Sequence, residues 1–267
     1  MDYTQIAVED VGAVRKLLHN RPEMRNAESS VLLDELDHAL GAAVADPAVR
    51  VIVIGGVGAH FSAGHDLKEG QARRQEFTVE GRYAYEERRY LDYSLRIWDC
   101  PKPTIAMVQG ACIAGGFMVA NMCDMIVASE DAFFADPVVR TMAAAAVEVL
   151  VHPWVMGLRA AKEFLFTGKR MSAAEAYRIG MINRLVPREE LEVATMALAN
   201  EIAQAPPFAI KLTKRSLNRA ADMQGFRSSV MAHFDTHQLA HVSEEFKAGR
   251  VAGLAAAIAR NKAGTTE

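Results

Sequence analysis

Cysteine is scarce in this chain of 267 residues. Cys100, Cys112 and Cys123 are the only three. An odd count without metal-type spacing argues against a disulfide framework or a thiolate metal centre, and leaves buried free thiols in a reducing compartment as the expectation. Basic surplus is also missing. Thirty Lys and Arg stand against 33 Asp and Glu, for a net charge of −3, and nucleic-acid binders usually carry the opposite balance. No apolar run approaches the ~20 residues that span a bilayer. The first dozen residues hold Asp2, Glu9 and Asp10 but no basic or apolar stretch of the secretory kind. These absences point to a cytoplasmic protein with no nucleic-acid or membrane partner.

What is present is a globular composition. It is 51% hydrophobic and 24% charged, with a mean hydropathy of +0.02, so material for a large core is ample. Residues 5 to 20 read as two short strands around a turn from Glu9 to Gly12. Leu33, Leu36, Leu40, Ala43 and Val44 recur at helical spacing, and Asp46 and Pro47 end that helix. Val51 to Ile54 is a short, wholly apolar run, which suits a strand buried on both faces of a parallel sheet. Leu91, Leu95 and Trp98 share one helical face, stopped by Pro101 and Pro103. Thr104 to Val108, Met125 to Ala128 and the short Ala132 to Ala135 read as further strands. Ser172 with Glu175 forms a capping box, and Gly180 suits a helix C-terminus. Ile182 to Val186 fits a last strand. Everything beyond Pro187 reads as helical, through Ile258. Strands alternating with helices predict an α/β fold with βαβ crossovers. One body is expected over residues 1–195, with a helical C-terminal region over 196–267.

Two turns rich in small residues each follow a buried strand and precede a helix. The first runs from His60 through Phe61, Ser62, Ala63, Gly64, His65, Asp66 and Leu67 to Lys68. The second runs from Val108 through Gly110, Ala111, Cys112, Ile113 and Ala114 to Gly115 and Gly116. Exposed N–H groups at a helix start favour negative charge, and small side chains let a ligand oxygen reach the backbone. Two such turns facing each other would make an oxyanion hole. Taken singly, each is equally a packing device. Neither is a Walker loop or a dinucleotide fingerprint.

In combination these segments resemble the crotonase superfamily, also called the enoyl-CoA hydratase/isomerase family. Arg21 to Ala27 is similar to its early CoA-contacting segment. Phe61 to Lys68 is similar to its first oxyanion motif, and Val108 to Gly116 to its second. Cys123 to Ala128, Phe134 to Pro137, Phe166 to Gly168 and Ala173 to Ile182 match in order. The resemblance implies a spiral ββα core, a helical C-terminal region that builds a homotrimer or a dimer of trimers, and an acyl-CoA thioester as substrate. Coenzyme A would then be part of the substrate, with no separate cofactor and no metal. It further implies that the backbone N–H groups of His65 and Gly115 are the oxyanion donors. Met24, Arg25, Ala63, Gly64, Asp66 and Lys68 would lie along the CoA, with Phe234 and Lys262 of the helical tail.

Hydratases of the family carry two glutamates that hold and activate water. At those positions this chain has Met118 and Val138, which line the expected acyl pocket but transfer no proton. A Pro-Gly turn of the family is replaced by Ala143 to Ala146, whose alanines favour helix. Glu148 and Asp136 are the candidate acid–base residues. His152, four residues past Glu148, would share its helical face; a surface or interface pair is the alternative. Asp136 reads equally as a cap before Pro137. His233, His237 and His241 are spaced for a metal but read better as a polar helix face or interface. Met142 and Met156 read as core or pocket lining. The chemistry is hydration, isomerisation or hydrolysis at an acyl-CoA, and the alternative is an acyl-CoA binder that has lost catalysis.

Overall fold

The computed structural model describes residues 2–74 and 78–248. Among these residues nine strands form two sheets: β1 (Ile6–Val11), β2 (Val14–His19), β3 (Val51–Gly56), β4 (Thr104–Val108), β5 (Ala111–Ile113), β6 (Met125–Ser129), β7 (Phe133–Ala135), β8 (Met171–Ser172) and β9 (Arg184–Val186). The main sheet runs β1-β2-β3-β4-β6-β9, and the small one β5-β7-β8. Only β1–β2 is antiparallel in the main sheet; the remaining four pairings are parallel.

The apolar run Val51–Ile54 explains the layering. Its side chains alternate, so Ile52 and Ile54 enter one core cluster and Val51 and Val53 the other. All four are fully buried, as expected where both sheet faces are covered. Each such side chain contributes about 1.5–3 kcal/mol on burial.

The helices are α1 (Ser30–Ala45), α2 (Leu67–Arg74), α3 (Val79–Glu86), α4 (Tyr93–Trp98), α5 (Gly115–Met122), α6 (Val138–Thr141), α7 (His152–Met156), α8 (Leu158–Thr167), α9 (Ala173–Arg178), α10 (Leu191–Ala203), α11 (Pro207–Met223) and α12 (Phe226–Ala240). Ser29 caps α1 by accepting from the Leu32 N–H, and Ser172 caps α9 by accepting from the Glu175 N–H. A π-helical segment, Glu87–Asp92, joins α3 to α4. Such π turns re-aim side chains and are common at functional sites. No helix among the described residues is long and apolar enough to cross a membrane.

The expected boundary after residue 195 falls inside α10. Leu191 and Ala199 of that helix bury against the second face of the sheet, so α10 completes the core. The expected helical C-terminal region is otherwise present as α11 and α12; Lys262 and the stretch up to Ile258 lie outside the described residues.

The four alanines are not helical. α6 stops at Thr141, and Ala143 and Ala146 have φ of 52° and 47°, a strained region for residues bearing a Cβ. Tertiary bonds outweigh alanine's helix preference here. The Val147 N–H donates to Asp136 Oδ2 (3.0 Å), while the carbonyls of residues 145 to 147 face imidazole nitrogens of α12.

Candidate active site

The two small-residue turns meet. The Ser62 N–H donates to the Ala111 carbonyl (3.0 Å), and the Ile113 N–H returns to the Ser62 carbonyl (3.0 Å). A Cβ on Gly64, whose φ is +84°, would sit 3.2 Å from the Gly115 nitrogen and 2.7 Å from the Ile113 oxygen. Only glycine allows that approach. Gly115 opens α5, so its N–H has no intrahelical acceptor. Neither it nor the His65 N–H donates to a backbone acceptor among the described residues. Ala114, between β5 and α5, is held at φ 49° and ψ −111°, a conformation that residues with a Cβ avoid and that clusters at functional sites.

The segment Arg21 to Glu28 is stitched onto the first turn. Buried Asn26 donates from Nδ2 to the carbonyls of Val57 (3.0 Å) and His60 (2.8 Å). The Ala63 N–H donates to the Arg25 carbonyl, and the Glu28 N–H to the Gly64 carbonyl, each at 2.9 Å. The Arg21 guanidinium pairs with Asp66 at 3.0 Å.

A cavity of about 440 Å³ opens beside these turns. Of the residues singled out in the sequence, Arg25, Ala63, His65, Asp66, Val138 and Glu148 line it. Other expected residues stand apart from its wall. Met118 is 2% exposed and Phe234 fully buried, both within the hydrophobic core. Gly64 is buried beneath the second turn. Met24 ends a short 3-10 turn, and Lys68 is exposed on α2.

Asp136 does not open on the cavity either. It is fully buried, its Oδ1 accepts from the Val138 N–H (3.2 Å), its Oδ2 accepts from the Val147 N–H, and it pairs with His152 at 3.2 Å. That arrangement fixes the loop between them and matches the cap reading rather than acid–base work. His152 is equally buried and stacks on Phe117. The expected Glu148–His152 pair does not form, because residues 148 to 151 are not helical.

Glu148 instead joins a chain of alternating carboxyl and imidazole groups. His65 Nδ1 lies 3.2 Å from Glu28 Oε2, and its Nε2 lies 3.2 Å from Glu148 Oε2. Glu148 Oε1 lies 3.3 Å from His237 Nε2. Beyond His237 stands Glu86 at 3.8 Å. Tyr90, on the π-helical segment, stacks flat on the His65 ring with centroids 3.8 Å apart. The ring in turn covers Gly115, where a Cβ would run into it and into the Glu28 carboxylate.

Burial alone would lower the pKa of the His65 imidazole, but Glu148 and Glu28 more than offset it and raise the value to about 10. Burial likewise opposes protonation of His237, and Glu148 with Glu86 lifts it to about 9. Burial works to raise Glu148, yet the two imidazolium groups hold it well below the usual carboxylate range. Both imidazoles thus favour the ionised form of Glu148.

Sequence reasoning missed Glu28, Glu86 and Tyr90, which follow no periodicity. It also assigned His233, His237 and His241 to a polar face or interface. Instead, His237 and His241 line the cavity, and His233 Nε2 lies 2.8 Å from the Val147 carbonyl oxygen. Their four-residue spacing was the available signal.

Comparison with known proteins identifies the family. Residues 9–254 match the family described as enoyl-CoA hydratase/isomerase. EchA13 of Mycobacterium tuberculosis is 36% identical over 257 residues, covering 90% of this chain and 81% of that relative. A crystal structure from Mycobacterium thermoresistibile is 48% identical, with a TM-score of 0.84 over 89% of this chain and 96% of the other. That of an enoyl-CoA hydratase/isomerase from Xanthobacter autotrophicus Py2 is 36% identical, with a TM-score of 0.89 over 98% of both chains. With a mixed α/β fold of the same kind, this chain belongs to the enoyl-CoA hydratase/isomerase family.

Proposed function

We propose that the protein moves protons on an α,β-unsaturated acyl-CoA, by hydration or double-bond isomerisation, through a thioester enolate. In this reading the backbone N–H groups of His65 and Gly115 hold the thioester oxygen. The observation that carries it is the juxtaposition of two glycine turns, with unengaged donors, beside a cavity that contains Glu148. A single donor of this kind is typically worth about 3–4 kcal/mol in the transition state. Coenzyme A would run past Arg25, Ala63 and Asp66, towards Met24 and Lys68.

Glu148 is the acid–base residue of this proposal, with His65 as its charged partner. Neither Met118 nor Val138 can relay a proton, so the familiar pair of water-holding glutamates is not used. Turnover of crotonyl-CoA and longer enoyl-CoAs tests the reading. Activity in the wild type that survives Glu148→Gln undiminished removes Glu148 from the mechanism.

Met118 and Val138 also favour a second reading, an acyl-CoA binder without catalysis. It predicts calorimetric binding of acyl-CoA with no turnover of any thioester, and robust turnover ends it. A trimer or a dimer of trimers in the cytoplasm completes the proposal. Exposed Phe208, Leu217 and Met223 on α11 supply apolar surface for it, and light scattering reads the mass directly.

A further inference from the structure

Glu86, the last residue of α3, lines the cavity with Glu28, Asp66, Glu69 and Glu148. Its Oε2 accepts from Gln238 Nε2 at 2.6 Å and lies 3.8 Å from His237 Nε2 and 3.7 Å from His241 Nδ1. Arg82 also faces it electrostatically. It therefore shares with Glu148 a single imidazole nitrogen.

Hydrogen-bond chemistry constrains the protons of this group. His237 Nδ1 faces the carbonyl oxygens of Ala145 (3.1 Å) and Ala146 (2.9 Å), which only accept. That nitrogen must carry a proton. His237 Nε2 then lies 3.3 Å from Glu148 Oε1 and 3.8 Å from Glu86 Oε2, without a formed hydrogen bond to either. A lone pair there would face ionised acceptors, so the imidazole is protonated or a carboxyl carries the proton between them. His65 is in the same position between Glu28 and Glu148. With both imidazoles charged, they balance two of the three carboxyls, and Arg82 offsets part of the third charge.

Glu86 is the carboxyl least supported as an anion. Glu148 has two imidazolium partners at 3.2 and 3.3 Å. Glu28 has His65 at 3.2 Å and shares the Ser62 hydroxyl, 3.2 Å away, with the Asn26 carbonyl at 2.9 Å. Glu86 has one neutral amide at hydrogen-bond distance, imidazoles at 3.8 and 3.7 Å, and the charge of Arg82. Burial first, then the charge of Glu148, raises its pKa, in agreement with this accounting. Two carboxyls whose surroundings push their protonation apart are the usual mark of an acid–base pair.

We propose that Glu86 is the second acid–base carboxyl of this site, giving a proton to the acyl chain and regaining it from Glu148 through His237. The proposal rests on the acyl-CoA reading above. In hydration, Glu148 takes a proton from water as the oxygen bonds to the β-carbon. The C=C electron pair moves to the α-carbon and the thioester oxygen. The enolate then collapses, and the α-carbon takes the proton of Glu86. The proton on Glu148 passes by way of His237 to Glu86, which restores both groups, so the net change is one water added. The site thereby supplies from α3 and the loop before α7 what positions 118 and 138 lack.

The test is Glu86→Gln in the full-length protein, beside wild type and Glu148→Gln, on the enoyl-CoA that wild type turns over. The expected result is a kcat lower by about 10²–10⁴-fold, a KM within threefold, and loss of the alkaline limb of the pH–rate profile. Glu86→Asp recovers part of kcat. Infrared difference spectra of wild type against Glu86→Gln should contain a protonated carboxyl band at neutral pH, a readout that needs no turnover. Turnover by wild type with an indifferent Glu86→Gln ends this proposal alone, as does the absence of that band. Wild type that turns over no thioester ends the catalytic reading and this proposal together. Glu86, His237 and His241 also place one ligand atom each within 4.8 Å of one another. One divalent ion per chain by elemental analysis, with activity lost to a chelator, would overturn the proposal in favour of a metal site.

Discussion

Replacing Glu148 by Gln should damage stability as well as chemistry, in a way that depends on pH. Glu148 is 6% exposed and lies 3.2 Å from His65 and 3.3 Å from His237. Removing one partner of a buried ion pair typically costs about 3–5 kcal/mol, because the other charge is left uncompensated. For a chain of this size, 2–4 °C per kcal/mol converts that to a fall in Tm of roughly 6–20 °C. Both imidazoles can shed their protons, so the loss has a pH signature. In wild type they are held at about 10 and about 9, above the ~6.5 of an unfolded histidine. Their stabilisation is thus complete below about pH 6.5 and is lost as pH rises through 9 to 10. Without Glu148 most of it is absent at any pH. The gap in Tm between wild type and variant should be widest near pH 6 to 7 and narrow above pH 9. Calorimetry across that range, paired with kcat at pH 7.5, measures both effects. A variant within 2 °C of wild type at every pH and within twofold in kcat would refute the reasoning.

Other substitutions separate structural from chemical roles. Met118→Glu should lower stability by about 3–5 kcal/mol through an unpaired buried charge, whereas Val138→Glu, on the cavity wall, should fold with near-native stability; denaturant titration compares them. Gly116→Ala places a Cβ 2.6 Å from Ser62 Cβ; forcing the turns apart should cost about 1–3 kcal/mol and reduce kcat more than acyl-CoA affinity, read by calorimetry and steady-state kinetics. Asp136→Ala removes the acceptor of two loop N–H groups and the partner of His152. Its effect should appear as about 3–5 kcal/mol of lost stability, and a Tm equal to wild type would contradict the structural role given to it.

The sequence was most readable where one-dimensional pattern and burial coincide. Val51–Ile54 had to be a doubly covered strand, and Ser172 with Glu175 had to start a helix. The glycine turns were legible because the close approach of Gly64 to Gly115 admits no Cβ. The family resemblance carried the pairing of those turns, which spacing alone left open. The loop from Ala143 to Val147 was not legible: its conformation is decided by Asp136 and by His233 and His237, some 90 residues away, and local propensity favours the opposite outcome. The chain of carboxyl and imidazole groups was hidden for the same reason. Glu28, His65, Glu86, Glu148 and His237 come from five separate segments; His65 and Glu148 stood out by their places in the family pattern and His237 by the spacing on α12, while Glu28 and Glu86 left no trace. The expected Glu148–His152 partnership failed because it assumed a helix that α12 prevents.

The thioester cradle is the central claim, and a crystal structure with a bound, unreactive enoyl-CoA analogue tests it most directly. The account predicts the thioester oxygen about 3 Å from both the His65 and Gly115 nitrogens, with the β-carbon or a water on it within hydrogen-bond reach of Glu148. An acyl-CoA lying in the cavity with its thioester oxygen bound to neither nitrogen would contradict it.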